Sequence, residues 1–281
     1  MPSQPLLVVD GDSLAHRAYH GLPKTVHDVE GRPANALVGT ANMLLTLHDT
    51  YAPRTVLACW DTLTHPTYRH EQLPEYQAGR EFAGDLLEQL ERIPQFVTVA
   101  GFPFAKEAGY EADDFLAAAA RYETERGGTT LIVTSDRDAF QLVSDAVTVL
   151  LPRRGVSELE PVRPADVLEK YGVRPDQVPD FIALRGDTSD RIPGATGIGP
   201  VKAAAALCEF GSLEGALDAG RFAAEADALR CYLEIATMRA DAPLPPLPDA
   251  ELDVDSVARW ASERGLDAVT RRLAAGRSAA R

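Results

Sequence analysis

Three short apolar runs in this chain each lead into an aspartate: Leu6–Val9 into Asp10, Thr55–Trp60 into Asp61, and Thr129–Ser135 into Asp136. More acids follow in groups, as Glu111-Ala-Asp113-Asp114, as Asp138, and as Asp187 and Asp190 within Arg-Gly-Asp-Thr-Ser-Asp. Singly, each has a bland explanation. An acid at a helix start is often a cap or a dipole partner, and Asp10-Gly11 is ordinary turn chemistry. Nine carboxylates at one crevice are another matter, because close pairs would repel by several kcal/mol at an effective dielectric of about 20. Cations must hold them, and oxygen-rich sites of this type suit magnesium or manganese. Two such ions about 4 Å apart can activate water and stabilise the leaving oxygen in phosphodiester hydrolysis. No Ser-His-Asp set or Cys-His pair competes for the chemistry.

The backbone has to gather these acids. Leu6–Val9, Thr55–Trp60, Thr129–Thr134 and Ala146–Leu150 read as buried strands, and Asn35–Thr50, Asp85–Gln95 and Glu111–Arg126 show helical periodicity. Strand and helix alternating at this spacing imply an α/β fold, a mostly parallel central sheet flanked by helices. The carboxyl ends of such strands line the ligand crevice, so Asp10, Asp61 and Asp136 are expected at one edge. Beyond Pro161 the character changes. Pro164–Tyr171, Pro175–Leu184, Pro200–Phe210 and Ser212–Asp218 read as short helices, three of them opening on Pro. Ala242–Pro248 is a Pro-rich connector before a last helix near Val254–Arg264. The expected division is an α/β core over 1–160 and a helical C-terminal region over 161–281.

At 281 residues and 45% apolar, the chain can bury a sizeable core. No apolar stretch approaches membrane-spanning length, and Leu6–Val9 is too short for a signal peptide, so a cytoplasmic location is expected. Cys59, Cys208 and Cys231 form no C-x-x-C pair and read as free thiols in a reducing compartment. A net charge of −14 argues, taken alone, against a nucleic-acid partner. The objection weakens if the acids are gathered in one metal site, where bound cations reverse the local sign.

Residues 193–202 read Pro-Gly-Ala-Thr-Gly-Ile-Gly-Pro-Val-Lys between two expected helices. Glycines there allow a tight turn and close backbone approach, and amides at the next helix start point outward. Such a hairpin can hold a DNA phosphate without reading sequence, with Gly194, Gly197, Ile198 and Gly199 as its backbone and Lys202 adding charge. A plain helix–helix turn is the alternative.

Taken in order, these landmarks resemble the 5′ nuclease domain of bacterial DNA polymerase I, within the wider flap endonuclease family. The resemblance covers roughly residues 5–240 and rests on Val-Asp-Gly at 9–11, Tyr-Arg-His-Glu at 68–71, and Tyr-Gln-Ala-Gly-Arg at 76–80. It continues through Gly-Tyr-Glu-Ala-Asp-Asp at 109–114, Thr-Ser-Asp-Arg-Asp-Ala-Phe-Gln-Leu at 134–142, Gly-Asp-Thr-Ser-Asp at 186–190 and Gly-Ile-Gly at 197–199. What the resemblance implies is a PIN-like 5′ nuclease core with a helix-hairpin-helix near 180–210 and a helical arch near 68–95. It implies two divalent ions, magnesium or manganese, on Asp10, Asp61, Glu111, Asp113, Asp114, Asp136, Asp138, Asp187 and Asp190, the first five with the tighter ion. It further implies a potassium ion at the hairpin, and DNA with a 5′ single-stranded flap or free 5′ end as the partner; the chain is expected to act as a monomer. By the same resemblance Arg80 meets the scissile phosphate, Tyr76 stacks on a base, and Arg17 and Arg69 line the substrate path.

Two departures stand out. Gln77 occupies a position where many relatives have a lysine that assists phosphate chemistry; Gln donates a hydrogen bond but supplies no charge. The chain also stops at Arg281 with no polymerase region after it, which suggests a free-standing exonuclease. Competing readings are a phosphatase with Asp10 as nucleophile and Asp12 as acid–base, and a non-catalytic DNA-binding module of the same fold. The first leaves Glu111, Asp113, Asp114, Asp136 and the hairpin without a role; the second leaves an idle acid cluster that costs stability.

Overall fold

The computed structural model describes residues 4–63, 65–79 and 81–279. Strands β1 (Leu6–Asp10), β2 (Thr55–Cys59), β3 (Phe104–Ala105), β4 (Thr130–Val133), β5 (Val147–Arg154) and β6 (Glu158–Val162) form one sheet in the order β3-β2-β1-β4-β5-β6. All neighbours run parallel except β6, which returns antiparallel along β5. The expected mostly parallel sheet is present. β1 lies between β2 and β4, so the chain winds outward from it in both directions. That makes the carboxyl end of β1 the switch point at which such sheets bind ligands.

The sheet's alternation fills two cores. Leu6 and Val8 face one side, packing with α5 (Ala112–Glu125) through Phe115, Leu116 and Ala119. Leu7 and Val9 face the other, toward α1 (Gly11–Gly21) and α2 (Asn35–Tyr51) through Leu14, Leu37 and Leu44. Both faces are covered, which is why the strands read as continuous apolar runs. The helices α6 (Pro164–Tyr171), α7 (Val178–Arg185), α8 (Pro200–Phe210), α9 (Leu213–Asp218) and α10 (Ala226–Ala236) extend the first core through Val167, Phe181, Leu207, Leu213 and Leu229.

The segment expected as an arch holds a short helix, α3 (Tyr68–Gln72), a turn, and α4 (Gly84–Val99). α4 does not stand away from the body: Leu86, Leu90, Ile93, Phe96 and Val97 are buried against the second core. The chain ends in α11 (Val254–Glu263) and α12 (Asp267–Ala279), which cross back to that same core, with Trp260 5.8 Å from Phe96 between ring centroids. Among the described residues, no helix is long and apolar enough to cross a membrane.

Candidate metal centre and nucleic-acid path

Asp10 closes β1 and caps α1. Its Oδ1 accepts the Ser13 amide at 2.9 Å and its Oδ2 accepts the Thr134 hydroxyl at 2.7 Å. Burial pushes its carboxyl up to about 7, Asp61 and Asp136 add to the rise, and the two hydrogen bonds oppose it. Asp61 follows β2; its Oδ1 accepts the Ala112 amide at 2.7 Å, and its own amide donates to Asp12 Oδ2 at 2.7 Å. Glu111 is the N-cap of α5 and accepts from Thr67 Oγ1 at 3.0 Å and Tyr76 Oη at 3.1 Å. Burial raises Glu111 to about 7 against the pull of Arg69. Burial also raises Asp113, reinforced by Asp136, Asp10 and Asp61.

Beyond β4, Asp136 accepts the Asp138 amide at 2.8 Å, and Asp138 is raised by burial and then by Asp136, Asp190 and Asp187. Asp187 behaves oppositely. Burial raises it, but the Ser189 hydroxyl and amide and the Arg185 guanidinium at 3.0 Å outweigh that, and the carboxyl ends below its ordinary value. Asp190 accepts from the Gln77 side-chain amide at 3.1 Å.

One open cavity of about 1380 Å³ at the carboxyl end of the sheet is lined by Asp10, Asp61, Glu111, Asp113, Asp136, Asp138, Asp187 and Asp190. Eight of the nine carboxylates expected there are thus brought together. Asp12 joins them; sequence reasoning weighed it only as a phosphatase proton donor, although Asp10-x-Asp12 at a helix start could have flagged it. Burial and Asp61 raise the Asp12 carboxyl. Among the described residues, no three of these side chains already converge on a point where they could hold an ion together. Backbone amides and hydroxyls orient several of the carboxylate oxygens. The donors are hard oxygens throughout, which suits magnesium or manganese.

The ninth acid is elsewhere. Asp114 is fully buried and accepts two guanidinium bonds from Arg69, at 2.9 and 2.8 Å, plus the Glu111 and Arg239 amides. Arg69 is buried with it, and its Nε donates to the Ile235 carbonyl at 3.0 Å. Tyr76 is only 4% exposed, leaving no open face for stacking in this conformation. Arg17 does line the cavity, where it donates to Ser135 Oγ at 2.9 Å and the Pro152 carbonyl at 3.1 Å, and Gln77 lines it too. Arg80 lies outside the described residues. Arg185, Arg154 and Arg137 also line the cavity and were not singled out from sequence.

Between α7 and α8 the glycine-rich hairpin turns sharply. Gly186 and Gly194 have φ of 76° and 73° and pack backbone to backbone; a Cβ on Gly194 would sit 2.4 Å from the Gly186 nitrogen. Gly197 and Gly199 face open space, and Gly199 is the N-cap of α8. The Ile198 amide is taken by the Ala195 carbonyl, and Lys202 Nζ donates to the Gly197 carbonyl at 3.0 Å.

Residues 5–172 match the family model described as the 5′-3′ exonuclease N-terminal resolvase-like domain, and residues 173–257 match the 5′-3′ exonuclease C-terminal SAM fold. The chain belongs to the 5′-3′ exonuclease family. Among curated relatives, DNA polymerase I of Mycobacterium tuberculosis is 42% identical over 262 residues, covering 87% of this chain and 28% of the relative. The chain therefore spans little more than a quarter of that relative's length. Among solved structures, a T5 5′-exonuclease with divalent metal ions (zinc) bound has a TM-score of 0.70 at 21% identity, over 96% of this chain and 98% of that one. The catalytic core of Rad2 in complex with DNA substrate has a TM-score of 0.62 at 15% identity, over 96% and 93%. At these identities the two structures establish the shared exonuclease fold.

Proposed function

We propose that this chain hydrolyses DNA phosphodiester bonds at free 5′ ends and at 5′ flaps, using two divalent ions, magnesium or manganese. The carrying observation is the gathering of nine carboxylates around one cavity at the switch point of the sheet, with Asp10 and Glu111 pushed up to about 7 by burial. In this reading Asp10, Asp61, Glu111 and Asp113 hold the tighter ion, with Asp12 beside them, and Asp136, Asp138, Asp187 and Asp190 hold the looser one. When bound, the ions supply an activated water and stabilise the departing 3′ oxygen. Thr134 and the Ser13 amide fix both oxygens of Asp10, so that ligand is oriented before any ion arrives. Asp114 would belong to the scaffold. Arg17 on the cavity wall would meet the phosphate backbone.

The hairpin of Gly194, Gly197, Ile198, Gly199 and Lys202 would grip the duplex phosphates behind the cut, with a potassium ion among its carbonyls. The core over 1–160 would carry the chemistry and 161–281 the duplex grip, in a monomer working in the cytoplasm. The zinc-bound T5 exonuclease and the DNA-bound Rad2 core support metal and DNA as the ligands.

The test is a gel assay on an end-labelled 5′-flap duplex with magnesium, manganese or chelator. Cleavage near the flap junction, abolished by chelator, is expected. DNA bound but uncut under both metals would overturn the reading in favour of a non-catalytic module. Phosphate release from a small monoester, with DNA left intact, would favour the phosphatase.

A further inference from the structure

Gln77 lies in the turn after α3 and has φ of 49°, a left-handed conformation uncommon outside glycine. Its backbone N–H donates to the Asp190 carbonyl at 3.3 Å. Its side-chain Nε2 donates to Tyr76 Oη at 2.8 Å and to Asp190 Oδ1 at 3.1 Å. An amide NH₂ carries two hydrogens, and these two acceptors use both. Tyr76 is buried, and its hydroxyl passes its own hydrogen to Glu111 Oε2 at 3.1 Å. An unbroken hydrogen-bonded path thus runs from Asp190, on the loop after α7, through Gln77 and Tyr76 to Glu111 at the head of α5.

The two segments touch a second time. Arg191, also left-handed at φ 58°, brings its guanidinium to within 3.1 Å of where a Cβ on Gly79 would sit. A turn and a loop far apart in sequence are therefore docked edge to edge. The backbone of the Asp190 loop is closed by the reciprocal Asp187–Ile192 bonds at 2.8 Å. The loop's shape is local, but the direction of Asp190 within the cavity is set from across the junction.

We propose that Gln77 is a positioning residue that fixes Asp190 against Glu111 and so presets a ligand of the looser divalent ion. This rests on the two-ion reading above. A lysine here would place a positive charge beside the Asp190 carboxylate and offset part of the field that draws in the cation. The neutral amide holds Asp190 Oδ1 and Tyr76 Oη and leaves the Asp190 carboxylate its full charge for the ion. Gln77 thereby works on ion affinity and ligand geometry, not on charge at the scissile phosphate.

The measurement is manganese binding to the full chain without DNA, followed by electron paramagnetic resonance of the free ion, for wild type, Gln77→Met and Gln77→Asn. Met matches the length of Gln without donors. Asn pulls the amide out of reach while tolerating the left-handed backbone. Two classes of site are expected in the wild type. In both variants the weaker class loses about tenfold or more in affinity, the usual effect of removing an outer hydrogen bond to a ligand, while the tighter class is unchanged. Wild-type affinities for both classes in the variants would overturn the proposal, as would an equal loss in both, which marks a merely structural role. A wild type that binds no manganese would instead sink the two-ion reading itself.

Discussion

Replacing Asp10 by Asn should make the metal-free protein more stable at neutral pH, and the size of the gain follows from its surroundings. The carboxyl rises from 3.8 to about 7 in the folded chain, chiefly through burial. A raised carboxyl keeps its proton in the fold at pH values where the unfolded chain has lost it. Its contribution is therefore fully present below about pH 4 and is lost as pH climbs toward 7. At about 1.4 kcal/mol per unit, the loss is ~4 kcal/mol. For 281 residues the unfolding entropy is about 0.6 kcal/mol/K, so the midpoint falls by ~7 °C. Glu111, Asp12, Asp113 and Asp138 are raised as well and act with the same sign. Asp28, Asp187, Glu214 and Asp253 are lowered, so their window lies below the carboxylate range and leaves pH 5.5–7.5 untouched. The assay is scanning calorimetry in chelator at pH 5.5 and 7.5, repeated with magnesium. Metal-free wild type should melt lower at pH 7.5, magnesium should close that gap, and Asp10→Asn should melt higher than wild type at pH 7.5. Equal melting of wild type at both pH values, with no gain in the variant, would refute the picture of a cavity of crowded carboxylates.

Arg69→Met leaves the fully buried Asp114 without its cation and should cost about 3–5 kcal/mol, read as a lower urea midpoint at constant slope; unchanged stability with a weaker salt dependence of DNA binding would instead make Arg69 a phosphate contact. Gly194→Ala forces a Cβ to 2.4 Å from the Gly186 nitrogen at a positive φ, so the hairpin should rearrange. DNA affinity by fluorescence anisotropy should fall at least tenfold while metal binding persists. Asp136→Ala should abolish cleavage of a flap substrate with affinity for that DNA in calcium kept within a few-fold; normal turnover would remove Asp136 from the chemistry.

The strands that carry the site could be read because each is a short run of aliphatic residues, buried on both faces, ending in an acid. Two strands escaped notice. β3 is only Phe104–Ala105, and β6 is an edge strand with Glu158, Glu160 and Pro161 in its five residues. α1 was missed because Asp10-Gly11-Asp12 looks like a turn, whereas Asp10 is the cap of a helix whose next acid faces the cavity. Direction is what a linear sequence hides. Asp113 and Asp114 are neighbours on α5, yet successive helical residues point about 100° apart, so one faces the cavity and the other the Arg69 guanidinium. The resemblance implies DNA contacts for Tyr76 and Arg69; both turn inward because buried acceptors, Glu111, Asp114 and the Ile235 carbonyl, lie behind them. The family pattern names such residues without saying which way each side chain turns.

The return of α11 and α12 to the second core has a consequence for synthesis. The layer built on α2 and α4 is finished only by Val257, Trp260, Leu266 and Val269, which come after the whole helical region from α6 to α10. Arg54 ties this return path down, through the Leu247 carbonyl at 2.9 Å and Asp249 at 3.2 Å, and its own carbonyl accepts the Ala250 amide. A ribosome must therefore deliver the hairpin and its flanking helices while Phe96 still lacks the cover of Trp260. The sheet emerges first, but its second core is not complete until residues well past 250 have left the exit tunnel.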